Sequence, residues 1–484
     1  MTCTCGAVDA VAAMAYLDGL TGYEQTGRLE QPTLERMARL AGALGDPQRA
    51  YPVIHLTGTN GKGSTAAMIA SLLSGQGLRV GTYTSPHVTR LAERVTIGGK
   101  PVADEALAGA VDRVRQAAVR AGVTPSWFEA VTAAALWLLA AAGVDVAVIE
   151  VGMLGRWDAT NVADGAVAVV TNVQLDHTDV AGPTRAGIAA EKAGIIKPGA
   201  TLVLGERDPG LRAIFEAQHP ARILAAGQEM SWRNRRVTPA GSLVDLVNLW
   251  GTRAGIAVGM FGAHQCDNAL LALTAAEAFT GAPIPAAAVT AALGGTQVPG
   301  RFEIVRTSPV VALDGAHNPA GAAALRRTIE ESFASVTPRI LVYGTLAGRD
   351  PVEFLDQAGV RSADLVVTTE PASPRAMSAD LLAGVVRGFG VPVTPVRRPA
   401  QALSAAVTAA GRRGLVVATG SLYLIAPPSE PPPSNARPEC FHDRRHPDRA
   451  RRLPASPRCP AAPGCPGVSP PGPLPGDGDR QRHA

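Results

Sequence analysis

Between residues 53 and 74 the chain reads as a strand, a glycine-rich turn and a helix in immediate succession. Val53-Ile54-His55-Leu56 is a short apolar, β-branched run, Gly58-Thr59-Asn60-Gly61-Lys62-Gly63-Ser64 follows it, and Thr65 to Ser74 carries Met68, Ile69, Leu72 and Leu73 on one helical face before Gly75 and Gly77 stop it. That layout turns backbone N–H groups and the positive end of a helix toward one point where an anion can sit. Lys62 adds a charge suited to β- and γ-phosphates. The usual G-x-x-x-x-G-K-[ST] pattern is not met, because Leu56 stands at the first glycine position and Gly63 separates Lys62 from Ser64. A tight turn with a solvated lysine is the plainer reading; the strand and helix on either side favour a nucleotide phosphate site.

The same alternation continues downstream. Phe128 to Ala142 reads as a buried helix, Val144 to Val151 and Ala166 to Val173 as buried strands, and together they suggest one doubly wound, mainly parallel sheet. The stretch Val298-Pro299-Gly300-Arg301-Phe302 breaks an Ala-rich helical pattern. New strands are expected near 310–314, 340–343 and 365–369, and the last from Gly414 to Leu424. The expected organisation is therefore a P-loop α/β domain over residues 1–297, a smaller Rossmann-like α/β domain over 298–426, and a tail over 427–484.

Of 484 residues 46% are hydrophobic and 18% charged, which excludes disorder as the whole answer. The tail differs: 16 of its 58 residues are proline, and it has almost no large apolar side chains to offset its ordering entropy, so it is expected to be disordered. Two origins fit its abrupt onset, a natural Pro-rich linker and a shifted reading frame, and resequencing the end of the gene separates them. The tail also holds 9 Arg and 6 acidic residues, leaving 36 basic against 35 acidic residues before it. A nearly neutral body argues against a nucleic-acid surface or a membrane patch, so phosphate binding must be local. The six cysteines form no CxxC pair, which speaks against a zinc site or a disulfide framework. Met1 to Leu17 has no basic leader, and the longest apolar stretch, Ala130 to Val144, is cut by Asp145. A cytoplasmic, soluble chain is expected.

Further motifs follow the turn in a fixed order. They are Ser85-Pro86-His87, Trp127-Phe128-Glu129, Glu150-Val151-Gly152 through Arg156 and Asp158-Ala159-Thr160-Asn161, Leu175-Asp176-His177, and Glu191-Lys192-Ala193-Gly194-Ile195. Then come Gly262-Ala263-His264-Gln265 with Asn268, Pro299 to Glu303, Asp314-Gly315-Ala316-His317-Asn318-Pro319, and Thr419 to Tyr423. With the TGTNGKGS turn, this series resembles the ATP-dependent Mur ligase superfamily, and within it the folylpolyglutamate and dihydrofolate synthases, over about residues 12 to 426.

The resemblance implies an ATP-dependent ligase that phosphorylates a pteridine carboxylate and lets the amine of L-glutamate attack the acyl phosphate. ATP would lie on Gly58, Thr59, Asn60, Gly61, Lys62, Gly63 and Ser64, with Asn268 on base or phosphate, Asp314 on ribose, and Arg301 and His317 at the transferred phosphoryl group. Magnesium, in two ions, would be held by Ser85, Glu150 and His177. Glu150 also suits this on its own terms, as a carboxylate at the carboxyl end of a buried strand beside a phosphate loop, though a paired structural glutamate has the same position. Lys192, otherwise a solvated lysine at the start of a loop, would be carbamylated. Lys62, Lys192, His177, Arg301 and His317 are the expected catalytic set. Trp127, Phe128 and Trp157 are candidates for stacking on the pteridine or its benzoyl ring, with core packing the alternative for Phe128. The small-molecule partners would be L-glutamate and dihydropteroate or a reduced folate, acting on a monomer.

Two departures from that pattern stand out. Leu154 occupies the position of a glycine in Gly152-Met153-Leu154-Gly155-Arg156, where φ > 0 or a close approach is called for. In Gly344-Thr345-Leu346-Ala347-Gly348-Arg349-Asp350, Gly348 replaces an acid and Arg349 a lysine, which keeps the charge and changes its geometry. Two other readings stay open: an ATP-binding regulator or inactive paralogue, and a cell-wall Mur-type amino-acid ligase, although only about 57 residues precede the turn.

Overall fold

The structure, a computed structural model, describes residues 10–22, 33–176 and 182–425. His177 and the expected tail lie outside the described residues. Eight strands build the first sheet: β1 (Val53–Thr57), β2 (Val80–Tyr83), β3 (Val95–Ile97), β4 (Lys100–Pro101), β5 (Val146–Glu150), β6 (Gly165–Val170), β7 (Thr201–Leu204) and β8 (Arg222–Ala225). Their order is β4-β3-β2-β5-β1-β6-β7-β8, parallel from β2 to β8, with β3 and β4 as an antiparallel edge.

Why the central strands read as unbroken apolar runs follows from their two covered faces. Val53, Ala147 and Ile149 pack on one side against helices α1 (Ala10–Asp18), α2 (Glu35–Ala43), α4 (Asp104–Ala121) and α5 (Trp127–Ala142). Ile54, Leu56, Val146 and Val148 face the other side, against α3 (Lys62–Ser74), α8 (Ala263–Thr280) and α9 (Ala286–Gly295). Helices α6 (Arg185–Ala193) and α7 (Pro209–Glu216) cover β6 and β7. Ser126 starts α5 with a capping box, accepting from Glu129 N–H at 3.2 Å while the Glu129 carboxylate accepts Ser126 N–H at 2.7 Å.

Three antiparallel strands, β9 (Ser231–Thr238), β10 (Gly241–Asn248) and β11 (Gly251–Val258), pack Val244, Leu246, Ile256 and Val258 onto the same core as α8. Sequence patterning did not place them, because β9 is a largely exposed, arginine-rich strand with little apolar alternation. Buried Arg253 of β11 is paired with Glu277 of α8, whose carboxylate also accepts Asn248 Nδ2 at 2.7 Å.

The second sheet has the order β12-β13-β17-β14-β15-β16, from β12 (Arg301–Thr307), β13 (Val310–Asp314), β14 (Arg339–Tyr343), β15 (Leu365–Thr368), β16 (Val393–Pro395) and β17 (Leu415–Thr419). Only β12 is antiparallel to its neighbour. Helices α10 (Pro319–Ser332), α11 (Pro351–Gln357) and α12 (Ala379–Arg387) cover one face and α13 (Pro399–Ala410) the other. The last strand ends at Thr419, short of the expected Leu424: Gly420 at φ +108° breaks it, and α14 (Leu422–Ile425) follows. Residue 298 falls between the last helix of the first lobe and β12. The lobes touch through the rings of Phe261, Phe302 and Phe333, with centroids 5.4 to 5.7 Å apart, and through the pair Arg235–Glu331 at 2.7 Å.

Candidate active site

Helix α3 starts three residues before the expected Thr65, since Gly61 at φ +87° turns the chain straight into it at Lys62. Lys62, Gly63 and Ser64 thus form the first turn, and their N–H groups lack carbonyl partners within the helix. The loop needs its glycines. A Cβ on Gly58 would overlap Thr171 Oγ1, and one on Gly61 would overlap Asn268 Oδ1. Lys62 folds back, Nζ donating to the carbonyls of Gly58 at 3.0 Å and Thr59 at 3.3 Å.

Glu150, 3% exposed at the carboxyl end of β5, lies beside Gly63 and accepts Ser85 N–H at 3.2 Å. Burial pushes its carboxyl pKa up, against the pull of Lys62, the Ser85 amide, Arg301 and Arg94. A desolvated carboxylate facing a phosphate loop fits a hard divalent cation, which prefers oxygen donors. Among the described residues no three His, Cys, Asp or Glu side chains cluster to hold a metal.

Lys192 is not at the start of a loop, as its plainer reading has it, but on the last turn of α6 and 3% exposed. Burial, with Lys62 nearby, pushes its ammonium pKa down to about 7, opposed by Asp176.

The second lobe supplies the other wall. Arg301 opens β12 with its guanidinium against Gly315. Asp314 holds two backbone N–H groups, Phe302 at 3.0 Å on Oδ2 and Ala316 at 2.9 Å on Oδ1, which fixes the turns carrying Arg301 and His317 to each other. His317 pairs Nδ1 with Gly315 O at 2.9 Å and points Nε2 toward Asp176 Oδ2 at 3.7 Å; burial and Arg349 push its pKa down. Asn268, 5% exposed, donates to Gln265 Oε1 at 2.9 Å.

Thr59 to Ser64, with Ser85, Glu150, Asn268, Arg301, Asp314 and His317, line one cavity of about 600 Å³ between the lobes, whereas Gly58 and Lys192 do not. Lys62 and Ser85, Glu150 and Asn268, Arg301, Asp314 and His317 come together there. Trp127, Phe128 and Trp157 do not line it: Trp127 lies under the Arg94 guanidinium at 4.8 Å, Phe128 packs on Tyr83 and Gly152, and Trp157 is 47% exposed. Sequence reasoning missed Arg207, Arg327 and Arg375, which also line it. Arg375 follows β15 at the carboxyl edge, a place where a charge is a signal. Leu154 takes φ +60° as its position demands, and Gly348 stands at φ +87°.

Among the described residues no helix is long and apolar enough to cross a membrane. The family model of the Mur ligase middle domain matches residues 56–276, and that of the Mur ligase glutamate ligase domain matches residues 300–422. A dihydrofolate synthase/folylpolyglutamate synthase of Mycobacterium tuberculosis is 37% identical over 407 residues, covering 78% of this chain and 82% of its own. A folylpolyglutamate synthase of Lacticaseibacillus casei is 34% identical, covering 75% and 86%. Among solved structures, the M. tuberculosis folylpolyglutamate synthase complexed with ADP and AMPPCP superposes with a TM-score of 0.79 at 34% identity, over 86% of this chain and 98% of that one. E. coli FolC in complex with DHPP and ADP superposes at 0.77 with 31% identity, over 86% and 96%.

Proposed function

Since the chain belongs to the Mur ligase family, with the folylpolyglutamate and dihydrofolate synthases, we propose that it joins L-glutamate to the carboxylate of dihydropteroate or a reduced folate while ATP becomes ADP and phosphate. The observation that carries this is the single cavity in which a phosphate loop, a buried carboxylate and the cations of a second lobe face one another.

The chain's own residues account for both steps. The amides of Lys62, Gly63 and Ser64 cradle the phosphates, and Lys62 swings from two loop carbonyls to the β- and γ-phosphates. Arg301, fixed by the Asp314 turn, faces the negative charge that spreads over the transferred phosphoryl group. Asn268 and Asp314 contact the nucleotide; each Asp314 oxygen keeps a lone pair for a ribose hydroxyl beside its backbone bond. Magnesium, as two ions on Ser85, Glu150 and His177, would neutralise the phosphate charge. With His317 and Arg349 on the lobe that closes, the amine of glutamate meets the acyl phosphate away from water.

Lys192 suits carbamylation. A buried amine with a pKa of about 7 is substantially neutral at neutral pH; its nitrogen adds to carbon dioxide, a proton is released, and the amine becomes an anion beside Lys62. Labelled bicarbonate would give a carbamate carbon signal that Lys192→Ala lacks. The division at 297/298, with residues from 427 outside the catalytic body, belongs to the same proposal, as do a monomer and a cytoplasmic location.

Purified protein with MgATP and L-glutamate, offered dihydropteroate and tetrahydrofolate separately, tests the reading through ADP release and product mass. Amide from either substrate is expected. ATP binding without product from either would move the chain to the inactive or regulatory reading.

A further inference from the structure

The lobes meet over the phosphate loop through two side-chain amides. The backbone of Asn60 is already committed within its own lobe: N–H donates to Asn172 Oδ1 at 3.1 Å, and the carbonyl accepts Thr171 Oγ1 at 2.6 Å and Asn172 Nδ2 at 2.9 Å. Its side chain reaches the other lobe. Asn60 Nδ2 donates to Asn318 Oδ1 at 3.3 Å, and Asn318 Nδ2 donates back to Asn60 Oδ1 at 3.1 Å.

Asn318 is used to capacity. Its second hydrogen goes to Asp176 Oδ2 at 3.1 Å, and its oxygen also accepts Gly321 N–H at 2.8 Å as the N-cap of α10. Both donors and both lone pairs are engaged on a residue 6% exposed. A satisfied buried network fixes one geometry, and losing one member strands the rest. Because Asn318 follows His317, and Asp314 in the same turn holds Phe302 beside Arg301, the register of the amide pair sets where Arg301 and His317 stand over the loop. A neutral pair does this without competing for phosphate charge.

The geometry points to Asn60 and Asn318 as a positioning pair that latches the second lobe over the phosphate loop, so that the acyl phosphate meets its amine before water does. The inference rests on the ligase reading above. Three variants test it: Asn60→Ala, Asn318→Ser and the two combined. Serine keeps an N-cap acceptor for α10 but is too short to reach Asn60, so a capping role alone predicts an active Asn318→Ser enzyme.

For a latch, each single variant makes amide at least about tenfold more slowly, with ADP released per amide rising above that of wild type. The double variant is no slower than the worse single one, as for members of one unit. Asn60→Ala also speeds hydrogen exchange in the first turn of α10, in the other lobe. An unchanged amide rate in Asn318→Ser, multiplied losses in the double variant, or unmoved exchange in α10 would overturn the latch. Wild-type protein that makes no amide would overturn the ligase reading, and the exchange response would still decide the latch.

Discussion

Leu154 stands at φ +60°, a conformation that favours glycine, and it is 8% exposed within the apolar cluster beneath α6. The left-handed conformation costs roughly 1–2 kcal/mol in a residue with a Cβ. Truncating a buried leucine costs roughly 2–5 kcal/mol. Burial wins, so Leu154→Gly lowers stability by about 1–3 kcal/mol, read from urea unfolding. Titration gives a second prediction at this scale. His55 is fully buried in β1 with its pKa pushed down to about 3 by burial and Lys197, below the unfolded value near 6.5. A depressed folded pKa means stability that is complete above 6.5 and lost as pH falls through the folded value. Unmodified Lys192, at about 7 against roughly 10.4 unfolded, contributes stability that grows as pH rises between those values. Both slopes have the same sign: the urea midpoint at pH 5 lies below that at pH 7. Lys192→Met removes a buried cation at nearly constant volume. It is expected to be more stable than wild type at pH 6 by about 1–3 kcal/mol and to release no ADP with substrates present.

Among elements, the loop from β1 into α3 shows what local spacing reveals. Its strand, turn and helix were legible because glycine and apolar periodicity fix them within about twenty residues. The contact partners of its glycines were not, since Thr171 and Asn268 lie far along the chain. Gly61→Ala meets both a positive φ and Asn268 Oδ1. ADP binding should weaken at least tenfold, about 1.4 kcal/mol, by titration calorimetry. The sheet of β9, β10 and β11 was invisible for the opposite reason: its stability is lent by α8, and its arginines mask the period of two. Removing Glu277 alone leaves buried Arg253 uncompensated, so Glu277→Ala lowers stability by about 3–5 kcal/mol, whereas replacing both by apolar residues costs much less. Thermal unfolding of the two variants beside wild type checks the contrast.

At the scale of the whole molecule, the second sheet is complete by Thr419, and α14 ends at Ile425. A chain ending at residue 425 is therefore expected to keep the unfolding midpoint and ADP release of the full chain; loss of either would give the later residues a role. The candidate site was legible as a set of residues because charged and glycine-rich motifs fall at strand ends. Its arrangement was not: Lys192 reads as a solvated lysine and Asn318 only as one member of a motif, and it is tertiary packing that buries the one and carries the other across to Asn60.

Helix α10 has its two ends tied to the first lobe by different means. At one end Asn318 meets Asn60; at the other, Glu331 meets Arg235 and Phe333 meets Phe261. Fourteen residues separate these ends by about 20 Å. The helix is thus a lever with an apolar pivot at its C-terminus, where rings tolerate small rotations, and a directional catch at its tip. A turn of about 10° at the pivot carries the tip about 3–4 Å, more than the span over which an amide hydrogen bond survives. A rotation of that size about the pivot therefore separates Asn60 from Asn318 while the contacts at the far end of the helix persist, so the catch is the more sensitive of the two attachments.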